Sequence, residues 1–480
     1  MDSRIPGMDA RYSVSSIARQ SSSDTNMAEF IVPGLKQHNS SFVLENVLLA
    51  TNFDFGYKLM PFDIDCPGEN MNKAGIEKVN IYGGSLCMMM SELALARGMA
   101  PDVLHNEYLV HTRSMIPLYE DVVTMAVNAA SPLLSDTDKG QIGLLIFGTE
   151  GGPDYCKPAS THIHQALGLP SNVRNFEIKC ACYTGMAALD YALNWIASGL
   201  HHGRKALVIA SDFSRKHFGE REEYALGGAA AAVLVSDAPK VIGFDLGQTG
   251  IWTSNLYDFY RPDARREISD GALSLLAYLD ALEGAYADYV TVTGASFSLE
   301  ERFRYLIYHM PFPGMALRAH LTLLDSEGEK NRVEALDDFD KKVRPSLHYA
   351  SQVGSNYGAS NFIALCGLID ANRDKICSGD RIGFFSYGSG CIGQFSSGIV
   401  LPEAVETVAS MKIQEELDAR HRISVSEYET LEAIRDETAG VEEFSPPLDI
   451  PADCYNAHYR DKKKLILKKI SQFQRFYEWS

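Results

Sequence analysis

No stretch of this chain reaches the roughly 18 consecutive apolar residues that a membrane-spanning helix needs, and no membrane partner is expected. Positive charge is also scarce. A formal net charge of −18 leaves no general basic face of the kind that neutralises phosphates, so nucleic-acid binding is not expected. The same deficit argues against an anionic membrane surface as the main partner. Paired CxxC motifs are missing too: the nine cysteines, at 66, 87, 156, 180, 182, 366, 377, 391 and 454, are scattered and odd in number. Neither a disulfide framework nor a zinc site is indicated, no metal is expected, and a reducing cytoplasm fits best. The first residues carry Arg4, Arg11 and Arg19 but no apolar core of a secretory signal, and Asp2, Asp9 and Asp24 weigh against a transit peptide.

What is there suits a large soluble globular protein: 480 residues, 46 % hydrophobic and 22 % charged. Residues 1–70 read as an N-terminal extension, polar and serine-rich from Ser13 to Asn26 and flexible by composition. From Met71 onward an α/β pattern runs steadily. Ile76 to Ile81, Ile142 to Phe147 and Ala206 to Ala210 are buried strands by their continuous apolar runs. Met88 to Arg97, Tyr119 to Ala130 and Thr161 to Leu167 have helical spacing, and Ala229 to Ser236 with Val241 to Leu246 predicts a hairpin. The second half repeats the plan, with a helix over Leu273 to Val290, a strand leading to His309, and Ile382 to Phe385 entering a glycine-rich turn. The pattern predicts a layered α/β fold with its site at the strand C-termini. The expected parts are 71–240 and 241–401 as two related halves, then a charged, helical tail from 402 to 480.

Chemistry concentrates where strands end. Phe176 to Lys179 stops at Cys180-Ala181-Cys182-Tyr183-Thr184-Gly185, followed at once by a helix. Backbone N–H groups and the positive helix end at such a junction favour a thiolate. Taken alone, Cys182 is as readily a buried structural cysteine. Two other strand ends offer Glu150 and His309. Glu150 reads equally as a cap of the following helix, and His309 as a core histidine. Together the three suit thioester chemistry. A thiolate accepts an acyl group, a partly desolvated carboxylate takes a proton from the acyl methyl, and a histidine hydrogen-bonds a second substrate's carbonyl. Backbone N–H groups in a glycine-flanked turn would hold the enolate oxygen.

With these motifs in order, the chain resembles 3-hydroxy-3-methylglutaryl-CoA synthases of the thiolase-like superfamily. The residues that carry the resemblance include Gly75-Ile76-Glu77, Gly148-Thr149-Glu150, Ala181-Cys182-Tyr183-Thr184-Gly185, Tyr257-Asp258-Phe259-Tyr260-Arg261-Pro262, His309-Met310-Pro311-Phe312 and Ser386-Tyr387-Gly388-Ser389-Gly390. The resemblance implies a duplicated α-β-α-β-α fold and a homodimer. It implies Cys182 as nucleophile, Glu150 as general acid/base and His309 as the residue contacting the acceptor. It also places substrate contacts at Tyr183, Ser386 and Gly388, with an oxyanion-hole N–H at Cys182 and another near Ser386.

Within that family, Asn80-Ile81-Tyr82-Gly83-Gly84, Pro117-Leu118-Tyr119-Glu120-Asp121 and Ile470-Ser471-Gln472-Phe473 resemble the variants that install β-branches in polyketide assembly lines. The implied substrates ride on the phosphopantetheine of a donor and an acceptor acyl carrier protein, with no bound cofactor. Mevalonate-type members carry a lysine five residues after the histidine, near the CoA phosphates. Here that position is Gly314, and the nearest basic residue is Arg318. Candidates for docking an acidic carrier protein are Arg261, Arg265 and Arg266, or Lys341, Lys342 and Arg344, each of which also reads as an ordinary solvated charge. The family's Gly-Asn becomes Gly354-Ser355-Asn356, so its asparagine is replaced by Ser355 or displaced to Asn356. The loop between Ser214 and Gly228 is short for the assembly-line subgroup. The competing readings are a mevalonate-pathway enzyme using free acetyl-CoA and acetoacetyl-CoA, or an inactive scaffold that binds carrier proteins. A ketoacyl synthase would want two site histidines, and a thiolase a second cysteine, for which Cys391 is the candidate.

Overall fold

Alternation along each strand sends successive side chains to opposite faces, and here both faces are covered. On the strand Lys205–Phe213, Ala206, Val208 and Ala210 join one core cluster while Leu207 and Ile209 join another. The computed structural model describes residues 74–480 apart from 215–217, 264–265, 295–296 and 329–330. The extension expected over 1–70 lies outside the described residues. The described ones belong to one compact unit, Gly68–Ser480.

The first half contributes β1 (Gly75–Tyr82), β2 (Leu86–Met89), α1 (Met90–Ala96), β3 (Thr112–Met115), α2 (Val122–Ala130), β4 (Ile142–Gly148), α3 (Ser160–Ala166), β5 (Arg174–Ile178), α4 (Thr184–Ala197), β6 (Lys205–Phe213) and β7 (Gly228–Ser236). The second contributes β8 (Ile242–Thr253), β9 (Phe259–Tyr260), β10 (Ile268–Ser269), α5 (Gly271–Thr293), β11 (Tyr305–Tyr308), α6 (Gly314–Glu327), α7 (Arg332–Lys342), α8 (Leu347–Val353), α9 (Ser360–Ala371), β12 (Arg381–Gly388) and β13 (Ile392–Val400). One sheet of nine strands runs through both, in the order β5-β4-β6-β7-β1-β8-β13-β12-β11.

The duplication is written in the pairing. β4 runs parallel to β6, which is antiparallel to β7, which is antiparallel to β1. Likewise β11 runs parallel to β12, which is antiparallel to β13, which is antiparallel to β8. The halves join where Gly75 and Ile76 face Gly243 and Ile242. Helices α4 and α9 share one apolar cluster with both sets of strands, and α9 is buried along Ser360 to Ile369. Helix α2 covers the other face of the first half, and α5 packs on β8 and β13. This is the α-β-α-β-α layering of the thiolase-like fold.

Three sequence expectations need correction. The segments over 229–236 and 241–246 form no hairpin, because β1 lies between β7 and β8. The connection crosses β1 instead, with Lys240 N–H and Val241 N–H both donating to the Ile76 carbonyl. Helix α1 begins only at Met90, since Leu86–Met89 pairs with β3. The tail is not helical to its end. After α10 (Val425–Glu437), residues Leu465–Ser471 and Gln474–Trp479 form a hairpin, β15 and β16 (β14 is the two-residue strand His421–Arg422). Its two-residue turn, Gln472-Phe473, has φ of 50° and 62°, the paired left-handed geometry that matches the twist of adjacent strands. The hairpin packs back on the first half: Leu467 N–H donates to the Tyr119 carbonyl, and Arg475 Nη1 and Tyr477 Oη to Asp121 Oδ2.

Candidate active site

Cys182 lies in the short turn between β5 and α4. Ala181, just before it, has φ of 48°, a left-handed conformation that a residue with a Cβ adopts only when its surroundings hold it there. Two features hold the turn. Thr184 N–H donates to the Ala181 carbonyl, and the end of β12 presses against the loop from the second half. A Cβ at Gly388 would sit 2.7 Å from the Cys180 carbonyl oxygen and 2.8 Å from Tyr183 Cβ, so only glycine permits that approach. Tyr183 Oη closes the same seam by donating to Gln394 Oε1.

The thiolate expected from the helix end is not the resting state. Burial, and then the negative charge of Glu150, push the Cys182 thiol well above its ordinary value. The thiol lies beside the Glu150 carboxyl, close enough for each to shift the other. Glu150 follows β4 and does not cap a helix; the N–H before α3, at Ala159, is instead taken by Glu177 Oε2 at 2.6 Å. Burial raises the proton affinity of Glu150, and Asp212 adds to it.

Asp212 escaped sequence reasoning. It is the penultimate residue of β6, buried, and its Oδ1 accepts from Thr149 Oγ1 at 2.8 Å, Glu150 N at 2.9 Å and Gly151 N at 3.2 Å. One carboxylate thus fixes the turn that carries the other. An acid closing the buried run Ala206 to Ala210 was the available signal, since a carboxylate is rarely fully buried without a task.

His309 follows β11 and is 1 % exposed. Its N–H donates to the Phe385 carbonyl at 2.8 Å, and its carbonyl accepts from Tyr278 Oη at 2.7 Å. The ring sits between Tyr278 and Tyr387, each with its centroid 6.5 Å away. Burial lowers its pKa to about 3, so the ring is neutral near pH 7. Asp258 braces the opposite wall, accepting from Tyr387 Oη and Gly390 N–H. Several buried atoms here have no hydrogen-bond partner among the described residues: Glu150 Oε1, Asp212 Oδ2, both His309 ring nitrogens, Asn356 Oδ1 and Ser386 Oγ. Each such group costs about 1–3 kcal/mol when left unpaired. Their gathering marks a site organised for a polar ligand.

The structure separates the two asparagine alternatives. Asn356 is buried with Nδ2 donating to the Gly354 carbonyl and Oδ1 free, whereas Ser355 is partly exposed with its N–H given to the Ala225 carbonyl. It also relocates the docking candidates. Arg261 is interior, paired with Glu267 beside Tyr357 and acting on Glu150 and Asp212; it is not a docking cation, because its charge is used against buried carboxylates. Arg266 is exposed but engaged by Asp263, and Arg265 lies outside the described residues. Lys341, Lys342 and Arg344 pair with Asp337, Asp338 and Asp340. Both lysines line a cleft with Arg304 and Arg381, which lead into β11 and β12. That is the opposite end of those strands from His309 and Ser386, so these residues do not border the site. Arg318 is exposed on α6. Cys391 donates to the Ala277 carbonyl and takes no place beside Cys182.

Comparison with known proteins agrees along the whole described chain. Residues 70–239 match the sequence model for the hydroxymethylglutaryl-coenzyme A synthase N terminal, and 242–334 with 314–478 that for its C terminal. A polyketide biosynthesis 3-hydroxy-3-methylglutaryl-ACP synthase, PksG of Bacillus subtilis (strain 168), is 39 % identical over 429 residues, covering 85 % of this chain and all of the relative. A hydroxymethylglutaryl-CoA synthase of Enterococcus faecalis is 31 % identical, covering 74 % of this chain and 91 % of its own. Among solved structures, the HMG synthase of the curacin biosynthetic pathway in complex with holo donor-ACP superposes with a TM-score of 0.81 at 37 % identity, over 85 % of this chain and all of that one.

Proposed function

Because the chain belongs to the hydroxymethylglutaryl-CoA synthase family, we propose that it is an acyltransferase of polyketide β-branching that works on acyl carrier proteins. Cys182 attacks the acetyl thioester of a donor carrier protein, and the phosphopantetheine thiol leaves as the acetyl group moves to Sγ. Glu150 then takes a proton from the acetyl methyl, and the resulting carbanion adds to the β-keto carbon of a polyketide on an acceptor carrier protein. His309, neutral by burial, donates a hydrogen bond to that ketone and passes its proton to the alkoxide, and the proton that Glu150 took from the methyl replaces it, which leaves both groups as they began. Water cleaves the Cys182 thioester, frees the thiol and leaves a 3-hydroxy-3-carboxymethyl branch.

The observation that carries the reading is the approach of half-buried Cys182 to the Glu150 carboxyl, whose Oε1 is buried without a partner and whose proton affinity is raised by desolvation. An ordinary carboxylate is too weak a base for a thioester α-carbon, and desolvation corrects that. Carrier proteins are favoured over free CoA by relatives and by position 314. A Cβ there would lie 2.0 Å from the Glu107 carbonyl oxygen, so the lysine of the mevalonate-type resemblance has no room. A phosphopantetheine arm tethered to a protein needs no such partner for a nucleotide phosphate. The working form is a homodimer in the cytoplasm, in keeping with the family and with the described cysteines all being free thiols.

Incubation with acetyl-carrier protein is expected to add one acetyl mass to the wild type and none to Cys182→Ser. Glu150→Ala is expected to acetylate yet form no carbon–carbon bond. A wild type that never acquires the acetyl group would overturn the mechanism.

A further inference from the structure

The strand-end motif that supplied Arg261 as a docking candidate puts its guanidinium somewhere else, and that place has a consequence for the base. The β9–β10 segment folds Arg261 inward until its side chain is 16 % exposed and that of Glu267, six residues on, is 1 % exposed. Nη2 of Arg261 pairs with Glu267 Oε1 and lies 3.3 Å from Tyr357 Oη, which in turn donates to Glu267 Oε1 at 3.2 Å. The guanidinium carbon stands 5.3 Å from the centre of the Tyr357 ring. On its other side, the position of a Cβ at Gly151 is 3.2 Å from Arg261 Nη1 and 3.6 Å from Asp212 Oδ1. One cation therefore lies between two sets of buried acids, Glu150 with Asp212 and Glu267 alone.

We infer that Arg261 and Glu267 act as a pair of positioning residues whose balance of charge sets the base strength of Glu150 during enolisation of the acetyl group. This rests on the reading that Cys182 carries the acetyl group and Glu150 deprotonates it. Two carboxylates buried side by side resist ionising together, so Glu150 would hold its proton too tightly without a cation. A bare cation would overshoot and leave a weak base. Glu267, itself dry and tied to Tyr357, cancels part of the Arg261 charge and keeps it from collapsing onto Asp212. Among the described residues, the titratable and charged groups acting on Glu150 are Cys182 at the start of α4, Asp212 on β6, Arg261 and Glu267 of the β9–β10 segment, and Tyr357 before α9. Their effects agree in sign with the geometry: Arg261 lowers the proton affinity of Glu150, and Asp212 and Glu267 raise it.

The test follows exchange of the acetyl methyl in heavy water on enzyme already acetylated at Cys182, read by mass against pH. Glu150 takes a methyl proton to give the enolate, trades it with solvent, and returns a deuteron to carbon; no acceptor is needed. Glu267→Gln keeps the shape and the hydrogen-bond acceptor but removes the charge. The pH of half-maximal exchange is expected to fall by about half a unit or more, with a slower plateau as the base weakens. Arg261→Gln is expected to move the same midpoint upward, and Arg261→Lys to restore it. A merely structural role would lower rates without shifting the midpoint in opposite directions. A Glu267→Gln profile that superimposes on the wild type would overturn the inference, and if that variant does not fold, an unmoved Arg261→Gln midpoint does so. If wild-type enzyme does not acetylate at all, the functional reading falls instead; if it acetylates and exchanges while the variants leave the midpoint unmoved, only this inference falls.

Discussion

At Cys182 the immediate sequence and the folded surroundings pull the proton in opposite directions. The start of α4 favours a thiolate, but burial and the carboxylate of Glu150 outweigh it, so the proposed nucleophile rests as a thiol. His309 shows burial alone. Its pKa, depressed from 6.5 to about 3, lies below that of the unfolded chain, so the unfolded state binds more protons between these values. The stability this site supplies is present above pH 6.5 and is lost as pH falls toward about 3. His309→Gln is therefore expected to flatten the decline of thermal stability below pH 6.5, to keep acetylation, and to slow carbon–carbon bond formation; melts at several pH values and single-turnover assays measure each. For the acceptor, Asn356→Ala is expected to raise the acceptor KM at least several-fold, while Ser355→Ala leaves it near the wild-type value. The buried orphan Oδ1 belongs to Asn356, and equal effects in steady-state assays would return the question to Ser355.

Among the elements, the C-terminal hairpin is attached through contacts that include a titrating group. Glu120, between the hairpin and β1, accepts from Tyr82 Oη at 2.7 Å and from Asn128 Nδ2 at 3.2 Å, and Asn128 Oδ1 in turn accepts from Leu465 N–H of β15. Burial holds the Glu120 carboxyl up at about 7 against an ordinary 4.5. A raised carboxyl contributes stability that is full below the unfolded value and lost as pH rises through the folded one. Glu120→Gln, which keeps the Oε1 acceptor, is expected to remove that loss. Its thermal midpoint should change less than the wild type's between about pH 5 and about pH 8. A midpoint as pH-dependent as the wild type's would show that another group dominates. The hairpin also shows where periodicity misleads. Lys462 to Trp479 mixes charge and apolar side chains in a way that suits a surface helix, yet Ile466, Ile470, Phe476 and Tyr477 favour strands, and the left-handed pair Gln472-Phe473 decides for a turn.

Over the whole molecule, two halves with one pairing scheme carry different residues of the proposed site. The first supplies Cys182, Glu150 and Asp212; the second supplies His309, Asn356, Ser386 and the Arg261–Glu267 pair. With no space for a lysine at position 314, the expected preference is for acetyl-carrier protein over acetyl-CoA, by about tenfold or more in kcat/KM. Parallel assays of the two donors measure it, and equal efficiencies would favour a mevalonate-type role.

The places of Cys182, Glu150 and His309 just after strands were legible in the sequence because each follows a strand-forming run and stands in a recognisable local motif, features that depend on neighbours along the chain. The strand-helix alternation was legible for the same reason. What the linear order could not carry was who faces whom. That β1 divides β7 from β8, that Arg261 turns inward while Lys341 and Lys342 sit at the far end of β11 and β12, and that Asp212 clamps the Glu150 turn all depend on contacts between segments distant in sequence. So does the protonation of Cys182, since desolvation and the approach of a second buried acid exist only after the chain has closed around them.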